Sequence, residues 1–354
     1  MEFSNSLIHW YLQNKRDLPW RNTTNPYHIW LSEIMLQQTR VAQGLPYFLA
    51  FTEAFPTVFD LANANEEQVL KLWQGLGYYS RARNLHATAK YIAYELNGEF
   101  PNNYKDLIRL KGVGEYTAAA IASFSYNEPV AVLDGNVFRV LSRYFNVDSD
   151  ISLPKTKIEF QQLAQEVLDK KNPALFNQAI MEFGALQCLP KNPRCDECIF
   201  KKSCVAKTRG WQDHLPVKSK KIKVRKRYFY YLVIEQNKKI MMRKREGKDI
   251  WKGLYDFPLI EMSRPQKTEM IIRQAEELLS LSKKLKIDDS SPTYRHVLSH
   301  QILHARFIFM QLSQKQSEYI KLKKDEGRFY TKPSIHKLPK PILINRYLQD
   351  SGIL

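Results

Sequence analysis

The stretch from Leu107 to Val140, LIRLKGVGEYTAAAIASFSYNEPVAVLDGNVFRV, decides the fold of this chain. Apolar residues at 107, 108 and 110 predict a short amphipathic helix, glycines interrupt it at 112 and 114, and small residues from Thr117 to Ile121 predict a second helix. Gly112 and Gly114 allow a sharp turn with positive φ and leave the first N–H groups of the second helix open to an anion. The stretch therefore predicts a helix–hairpin–helix that accepts a phosphate, the alternative being a turn that only packs two helices.

A Gly/Pro-rich loop and an acid follow the second helix. Pro129 and the apolar run Val130 to Leu133 lead into Asp134-Gly135-Asn136, which opens another helix. An Asp in this place most often serves only as a helix N-cap. The hairpin, loop and Asp together resemble the helix–hairpin–helix glycosylase superfamily, and GVGEYTA with VLDGNVFRV is similar to its adenine-specific MutY branch. The resemblance covers most of the chain.

Length and charge narrow the class of protein. The 354 residues suffice for two or three domains, and a hydrophobic content of 44% is typical of a globular protein. The net charge of +18 favours a polyanionic partner, with nucleic acid ahead of anionic lipid. No run is apolar enough for a membrane helix and the N-terminus has no signal-peptide core, so we expect a cytosolic protein, associated with the nucleoid if the source is bacterial.

Four cysteines fall within one short segment: Cys188, Cys195, Cys198 and Cys204. This clustering in a large cytosolic chain favours a metal or cluster site over disulfides. The spacing alone does not decide between zinc and an iron–sulfur cluster. The resemblance implies one [4Fe–4S] cluster, which would tie down a basic loop that meets the DNA backbone.

Two acids carry the functional prediction. Glu33 lies on the apolar face of a helix predicted from Ile29 to Val41, where burial would raise its pKa, although a mid-helix Glu is usually solvated. The resemblance implies that Glu33 is the general acid that protonates adenine N7, and that Asp134 stabilises the sugar cation or adds to it. It also implies that Asn136 orients Asp134 and that Tyr116 lies beside it.

Tyr116 also bears on the reaction class. In the bifunctional relatives this position is a lysine whose amine attacks the sugar and then cuts the strand, so the tyrosine predicts a monofunctional glycosylase. Lys111, before the hairpin, is a candidate for phosphate contact.

The base must leave the duplex before a buried acid can reach it. The segment Leu72 to Leu85 predicts a glycine turn with aromatics, then a basic helix, which suits stacking on bases and contact with phosphates, or else a cap with core tyrosines. Its residues in question are Gly75, Gly77, Tyr78, Tyr79, Arg81 and Arg83. By resemblance, Gln38 and Tyr78 wedge into the duplex, while Arg21, Trp20 and Gln178 surround the extruded adenine.

The C-terminal part changes from helical to strand patterns. Strands are predicted for YFYYLVIE from Tyr228, for KKIMMRKRE and for Ala305 to Leu312, with helices from Glu269 to Leu281 and after Pro341. This α+β domain resembles a Nudix fold but lacks the magnesium-binding glutamates, which argues against pyrophosphate hydrolysis. It is similar to the 8-oxoguanine-recognition module of MutY, whose loop matches Arg295 to His300. Ser299 and His300 would then lie near the oxidised base, and Leu298 stands where relatives often have phenylalanine.

The sequence thus predicts a multidomain chain with an all-α helix–hairpin–helix region and an α+β Nudix-like domain. The helical region is assigned to 1–209, with a helix-barrel lobe of about 25–140 and a cluster lobe of about 1–24 plus 141–209; a basic linker spans 210–227 and the last domain 228–354. We expect a monomeric adenine DNA glycosylase acting on duplex DNA with adenine opposite 8-oxoguanine or guanine. The rivals are a pyrimidine-lesion glycosylase/lyase and a non-enzymatic iron–sulfur DNA-binding protein.

Overall fold

The computed structural model describes residues 2–219, 224–279, 289–311 and 327–354. The chain divides into two compact units, one of residues 1–63 and 84–221 and one of residues 64–83 and 222–354. Within the described residues, no helix has both the length and the apolar character needed to span a membrane.

The N-terminal part of the chain is helical, as predicted. Its helices are α1 (Glu2–Asn14), α2 (Pro26–Leu36), α3 (Val41–Ala54), α4 (Val58–Asn63), α5 (Glu66–Leu72), α6 (Tyr79–Glu95), α7 (Tyr104–Leu107), α8 (Glu115–Tyr126), α9 (Gly135–Phe145), α10 (Pro154–Val167), α11 (Pro173–Leu186) and α12 (Val205–Arg209). Helices α1, α8, α9, α10 and α11 share one core, in which Phe160 and Phe176 are fully buried. This core supports the loop that precedes Asp134.

Helix α2 ends at Leu36, so the predicted helix from Ile29 to Val41 is too long by five residues. The chain leaves helical geometry at Gln37, and Gln38 adopts a left-handed conformation with φ of 57°. A non-glycine residue there is uncommon and marks a tight turn. The correction places Gln38 at a turn and leaves Glu33 on the buried face of α2.

The hairpin differs from prediction in one respect. Gly112 has a φ of +79°, and an added Cβ would lie 2.7 Å from the Cβ of Asn84, so both conformation and space require glycine there. Gly114 is the N-cap of α8 with a φ of −94°, a value open to any residue. A Cβ on Gly114 would meet nothing within 4 Å. Only the first glycine is therefore needed for the turn, while the second leaves open space before the N-terminus of α8.

The second unit is built on a mixed sheet. Its strands are β1 (Arg225–Gln236), β2 (Lys239–Lys244), β3 (Tyr255–Asp256), β4 (Leu259–Met262), β5 (Asp289–Ser290), β6 (Tyr294–Leu298), β7 (Gln301–Gln311) and β8 (Arg328–Thr331), and its later helices are α13 (Thr268–Leu278), α14 (Lys332–Lys337) and α15 (Ile342–Asp350). The central strand β1 pairs in parallel with β7 and antiparallel with β2 and β4. Strands β6 and β7 form an antiparallel hairpin in which Leu298 pairs with Gln301. The ends of the predicted helix at Leu281 and strand at Leu312 lie outside the described residues.

Residues 64–83, which the sequence assigned to the helix-barrel lobe, pack with the C-terminal domain instead. Glu67 of α5 accepts hydrogen bonds from Lys244 Nζ and Tyr255 Oη, both at 2.8 Å. The backbone N–H of Lys340 donates to Gln74 Oε1 at 3.0 Å. These polar contacts are long-range in sequence, so the hydrophobic pattern of α5 gave no sign of them.

The predicted basic linker also needs correction at its C-terminal end. Arg227 belongs to β1, is 6% exposed, and bonds with Asp249 and Glu261 at 2.6 to 2.9 Å. Its charge is therefore used inside the domain and does not face a DNA backbone. Residues 220–223 of the linker lie outside the described part of the chain.

Candidate active site

Two cavities in the first unit share the predicted pair of acids. One has a volume of about 540 Å³ and lies against the hairpin and Lys157, and the other has a volume of about 510 Å³ and lies against Arg21 and Gln178. Glu33, Tyr116 and Asp134 line both. The acids thus meet at one place, although they come from α2 and from the cap of α9.

Glu33 is 6% exposed on the face of α2 that turns towards the interior. The hydroxyl of Tyr116 donates to its Oε2 at 2.6 Å. Burial is the main reason why the pKa of Glu33 rises to about 7, and the negative charge of Asp134 adds to this, while Tyr116 and Arg21 oppose it. A carboxyl group of this kind carries a proton near neutral pH, as a general acid requires.

Asp134 is both a helix cap and a cavity residue. Its Oδ1 accepts from the backbone N–H groups of Asn136 and Val137 at 2.8 Å each, which caps α9. Its Oδ2 accepts from the Asn136 side chain at 2.7 Å. Burial raises its pKa, although these hydrogen bonds work against the rise. The cap interpretation is correct, and it fixes the carboxylate in the cavity wall.

Arg139 connects this cap to the cysteine segment. Its Nη2 donates to Asn136 Oδ1 at 2.8 Å and its Nε donates to the carbonyl of Cys188 at 2.7 Å. Arg139 is 8% exposed and Asn136 in turn holds Asp134. Arg139 therefore holds Asn136, which in turn is bonded to Asp134 as its predicted orienting role requires. The sequence did not single out Arg139.

The second cavity contains the residues predicted to surround adenine. Trp20 is buried edge-on against Phe48, and Gln178 Oε1 accepts from the Tyr11 hydroxyl at 2.6 Å. Arg21 donates through both Nη atoms to Glu182, at 2.8 and 2.6 Å. Arg21 is thus already paired with a carboxylate of the same cavity lining.

Glu182 is the functional candidate that sequence reasoning missed. It lines the cavity, is 1% exposed, and bonds with Arg16 as well as Arg21. Although burial raises the pKa of Glu182, the hydrogen bonds from Arg16 and Arg21 outweigh it and bring the pKa to about 2. The available signal was its spacing of four residues from Gln178, which places both on one face of α11.

Two of the predicted DNA-contact residues of the first unit lie in the wall of the first cavity. Gln38 and Gly114 line its wall. Lys111 is exposed, and its backbone carbonyl accepts from Thr88 Oγ1 at 2.7 Å. Gly114 provides no side-chain cap for α8. The start of this helix therefore has no side-chain cap, and its role as an anion-accepting feature stays a prediction.

Tyr78, one of the two wedge candidates, lies in the second unit with the lesion-recognition candidates. Tyr78 is 40% exposed with a φ of 49°, as the alternative of stacking on bases requires. Tyr79 is buried, as the alternative of a core tyrosine requires. The hydroxyls of Tyr78 and Ser299 are hydrogen-bonded to each other. Arg81 lies over the rings of Trp73 and Tyr78 and donates to the carbonyl of Gly77. It stabilises the turn that presents Tyr78.

His300 lies at the turn between β6 and β7. Its carbonyl accepts from the backbone N–H of Arg225 at 2.9 Å, while the residue itself is exposed. Leu298 is half-buried and Val297 is 56% exposed, since neighbouring residues of β6 face opposite sides. The outward apolar residue of this hairpin is therefore Val297.

The four cysteines line one small cavity: Cys188, Cys195, Cys198 and Cys204. Arg143 Nη1 donates to Cys188 Sγ at 3.3 Å, and the Phe200 N–H donates to Cys198 Sγ at the same distance. Among the described residues, no three His, Cys, Asp or Glu side chains lie close enough to hold a single metal ion.

Comparison with known proteins agrees with both parts of the chain. The model of the HhH-GPD superfamily of base excision DNA repair proteins matches residues 31–170, and that of the Nudix domain matches residues 229–350. A solved thermostable thymine-DNA glycosylase superposes with a TM-score of 0.55 at 28% identity, covering 58% of this chain and 95% of its own. The predicted fold class is confirmed.

Curated relatives extend over nearly the whole length. An adenine DNA glycosylase of Buchnera aphidicola subsp. Schizaphis graminum (strain Sg) is 35% identical over 344 residues, covering 96% of each chain. Human adenine DNA glycosylase is 43% identical over 222 residues, or 60% of this chain and 41% of the human protein. This chain belongs to the adenine DNA glycosylase family.

Proposed function

We propose that this protein is a monofunctional glycosylase that excises adenine opposite 8-oxoguanine, or opposite guanine, from duplex DNA and thereby initiates base excision repair. The observation that carries the proposal is the meeting of Glu33 and Asp134 at two adjoining cavities. One acid is set to hold a proton, while the other is held by three hydrogen bonds.

The two cavities suggest where the base and the sugar of the extruded nucleotide lie. An extruded adenine in the cavity of Arg21, Gln178 and Glu182 has Glu33 at its edge, and the sugar lies towards Asp134. Glu33 gives its proton to adenine N7 while the N9–C1′ bond breaks and its electron pair leaves with the base. Asp134 stabilises the cationic sugar by charge or by transient addition, as in sugar hydrolases. Water then adds its hydroxyl to C1′ and returns its proton to Glu33.

The lack of lyase activity follows from the nucleophiles available at the site. Tyr116 occupies the position of the attacking lysine in bifunctional relatives, and its hydroxyl is already donated to Glu33. Lys157 lines the first cavity, but its Nζ is 2.6 Å from Glu115 Oε2. An ammonium group held in an ion pair has no free electron pair for attack on C1′.

The cysteine cavity fits a [4Fe–4S] cluster, and the four thiolates would hold it. Four cysteine thiols around one cavity are a ligand set for such a cluster as well as for zinc, and the family resemblance favours the cluster. The hydrogen bonds to Cys188 and Cys198 are of the kind that tune such clusters. When bound, the cluster would cross-link the segment that carries Lys201, Lys202 and Lys207.

Recognition of the opposite base is assigned to the second unit. Ser299 and His300 lie at the exposed turn between β6 and β7, and Tyr78 contacts this turn directly. A serine hydroxyl and a histidine ring both offer hydrogen bonds to the edge of an oxidised purine. Tyr78 adds an exposed aromatic face for stacking.

A strand-cleavage assay tests this proposal. Duplexes carrying adenine opposite 8-oxoguanine, guanine or thymine are incubated with the protein, then analysed with and without alkali. We expect cleavage of the first two duplexes only after alkali, and no product from the adenine–thymine pair. Cleavage without alkali would establish a lyase, and loss of thymine or cytosine would point to the pyrimidine-lesion rival.

Variant S299A tests the specificity assignment separately. We expect the excision rate opposite 8-oxoguanine to fall about tenfold, a loss in the range of one hydrogen bond to a polar group, with little change opposite guanine. Variant S290A, at a serine of β5, is the matched control. Equal losses on both duplexes would remove Ser299 from lesion recognition.

A further inference from the structure

The segment 129–133 before Asp134 belongs to no helix or strand, and its last three residues are buried. Ala131, Val132 and Leu133 are at most 7% exposed. Buried peptide groups need hydrogen-bond partners, and regular structure usually supplies them. The partners here must come from elsewhere in the fold.

Side-chain amides from two helices provide these partners. Gln165 of α10 accepts from the Ala131 N–H at 3.0 Å and donates to the Pro129 carbonyl at 2.8 Å. On the other helix, α11, Asn177 accepts from the Val132 N–H at 3.1 Å and donates to the Val130 carbonyl at 2.9 Å. Each amide uses its oxygen and nitrogen together, as a peptide group of a neighbouring strand would.

Two further bonds complete the arrangement. Gln161, one turn before Gln165, donates to the Ala131 carbonyl at 3.0 Å and also lines the first cavity. Asn177 donates its second hydrogen to Ser123 Oγ at 2.9 Å and is 1% exposed. The segment is therefore held from both sides by amides whose positions are set by rigid helices.

We propose that Gln165 and Asn177 are positioning residues for Asp134, whose carboxylate they place by clamping the segment that leads to it. The proposal rests on the proposed role of Asp134 in the excision reaction. Neither residue lines either of the two cavities, so both act through the backbone of the segment. A displacement of about 1 Å at a reacting group can cost on the order of 100-fold in rate.

Asn177 also connects the clamp to base binding. It is adjacent in α11 to Gln178, which lines the adenine cavity, and Glu182 follows one turn later. One rigid helix thus places the residues around the base and the segment that carries Asp134. The position of the base and the position of the Asp134 carboxylate therefore both depend on α11.

Variant Q165M tests the clamp, because it keeps the side-chain length and removes both hydrogen bonds. Gln165 is half-buried, so the variant should fold, and Q162M on the exposed side of α10 is the matched control. The measured quantities are the single-turnover excision rate and the Kd for a duplex with an uncleavable adenine analogue. We expect Q165M to lower the rate at least tenfold with less than a twofold change in Kd, while Q162M matches the wild type.

A double variant separates positioning from general destabilisation. In the D134N background, Q165M should lower the residual rate by less than twofold, since the group it positions is gone. The same comparison with N177A, using the active-site-titrated concentration of each protein, keeps the test valid if that variant is less stable. A tenfold loss in both backgrounds would show that the amides act on the fold generally.

The outcomes also separate the clamp from the proposed mechanism. If D134N is inactive and Q165M excises at the wild-type rate, the clamp proposal fails while the role of Asp134 stands. If D134N excises at the wild-type rate, the role of Asp134 fails and the clamp falls with it.

Discussion

The cavity around Glu33 in the first unit and the charged network around Asp256 in the second unit both bury a carboxyl group, but they give it different partners. Asp256 is 0% exposed and accepts from Arg243 Nε at 3.1 Å and Arg245 Nη1 at 2.7 Å. Glu33 is 6% exposed, and its bonded partner is the neutral phenol of Tyr116. Burial raises the pKa of Asp256 and the two arginines oppose that rise, whereas Glu33 forms no ion pair among the described residues.

The comparison teaches that the partner of a buried acid, more than its burial, distinguishes a chemical from a structural role. Glu182 makes the same point within the first unit, because two arginines lower its pKa to about 2 a short way from Glu33. The cost of burying an unpaired acid is accepted at Glu33, where a proton is needed. The following predictions test this contrast.

Variant E33Q should produce the largest effect. It keeps the shape of the side chain but carries no acidic proton, so we expect the excision rate to fall about 1,000-fold or more, in the range of lost general acid catalysis. DNA affinity, measured with an uncleavable duplex, should change less than threefold. Variant E53Q, at an exposed position of α3, is the control, and an E33Q rate within tenfold of the wild type would refute the acid assignment.

Variant E182Q should mainly lower the stability of the protein, whereas E33Q mainly lowers the excision rate. Removing one charge from a buried pair leaves Arg16 and Arg21 without their counter-ion, so we expect a loss of about 3 kcal/mol in unfolding free energy at pH 7. The folded pKa of Glu182 lies below its unfolded value of 4.5, so its stabilisation is present above pH 4.5 and disappears as the pH falls towards 2. Denaturant unfolding of both proteins between pH 7 and pH 3 should show a shrinking difference. A constant difference would contradict the ion-pair explanation.

The contrast also shows which features could be predicted from sequence. The hairpin and the cysteine segment lie in local patterns whose spacing carries the signal, whereas the family resemblance pointed to the acids at 33 and 134, which the structure brings together. Asp256 carried no such signal and Glu182 only its spacing from Gln178, because their ion-pair partners are set by packing and, for Glu182, lie far away in sequence. The same holds for the amides of Gln165 and Asn177, which lie on helices that pattern alone would regard as ordinary.

Local geometry accounts for the smaller errors. Helix α2 was predicted to continue to Val41 because its apolar pattern does, but the left-handed Gln38 breaks it. The two glycines of the hairpin both allow a positive φ, whereas only Gly112 adopts one. A hydrophobic pattern does not encode a single backbone angle, so such features need the three-dimensional structure.

The stability of E33Q should change in the reverse direction to that of E182Q. The folded pKa of Glu33, about 7, exceeds its unfolded value of 4.5, so stability is lost as the pH rises through this window. The amide avoids this penalty but weakens the bond from Tyr116, leaving an expected gain of about 1–2 kcal/mol above pH 7. Denaturant unfolding at pH 5 and pH 8 provides the measurement. An E33Q protein less stable than the wild type at pH 8 would mean that folding does not raise the pKa of Glu33.

Variant Y116F should produce the smallest effect, and it addresses the remaining partner of Glu33. The Tyr116 hydroxyl stabilises the charged carboxylate, so its removal should raise the pKa of Glu33 further above its ordinary value. The wild-type excision rate should fall above pH 7 as the proton is lost, and in Y116F this decline should begin at higher pH. We expect the ratio of the Y116F rate to the wild-type rate to be about two- to fivefold higher at pH 8 than at pH 6, which corresponds to one hydrogen bond of ordinary strength. A ratio independent of pH would mean that the phenol does not set the protonation of Glu33, whereas an inverse trend would make Tyr116 itself the titrating group.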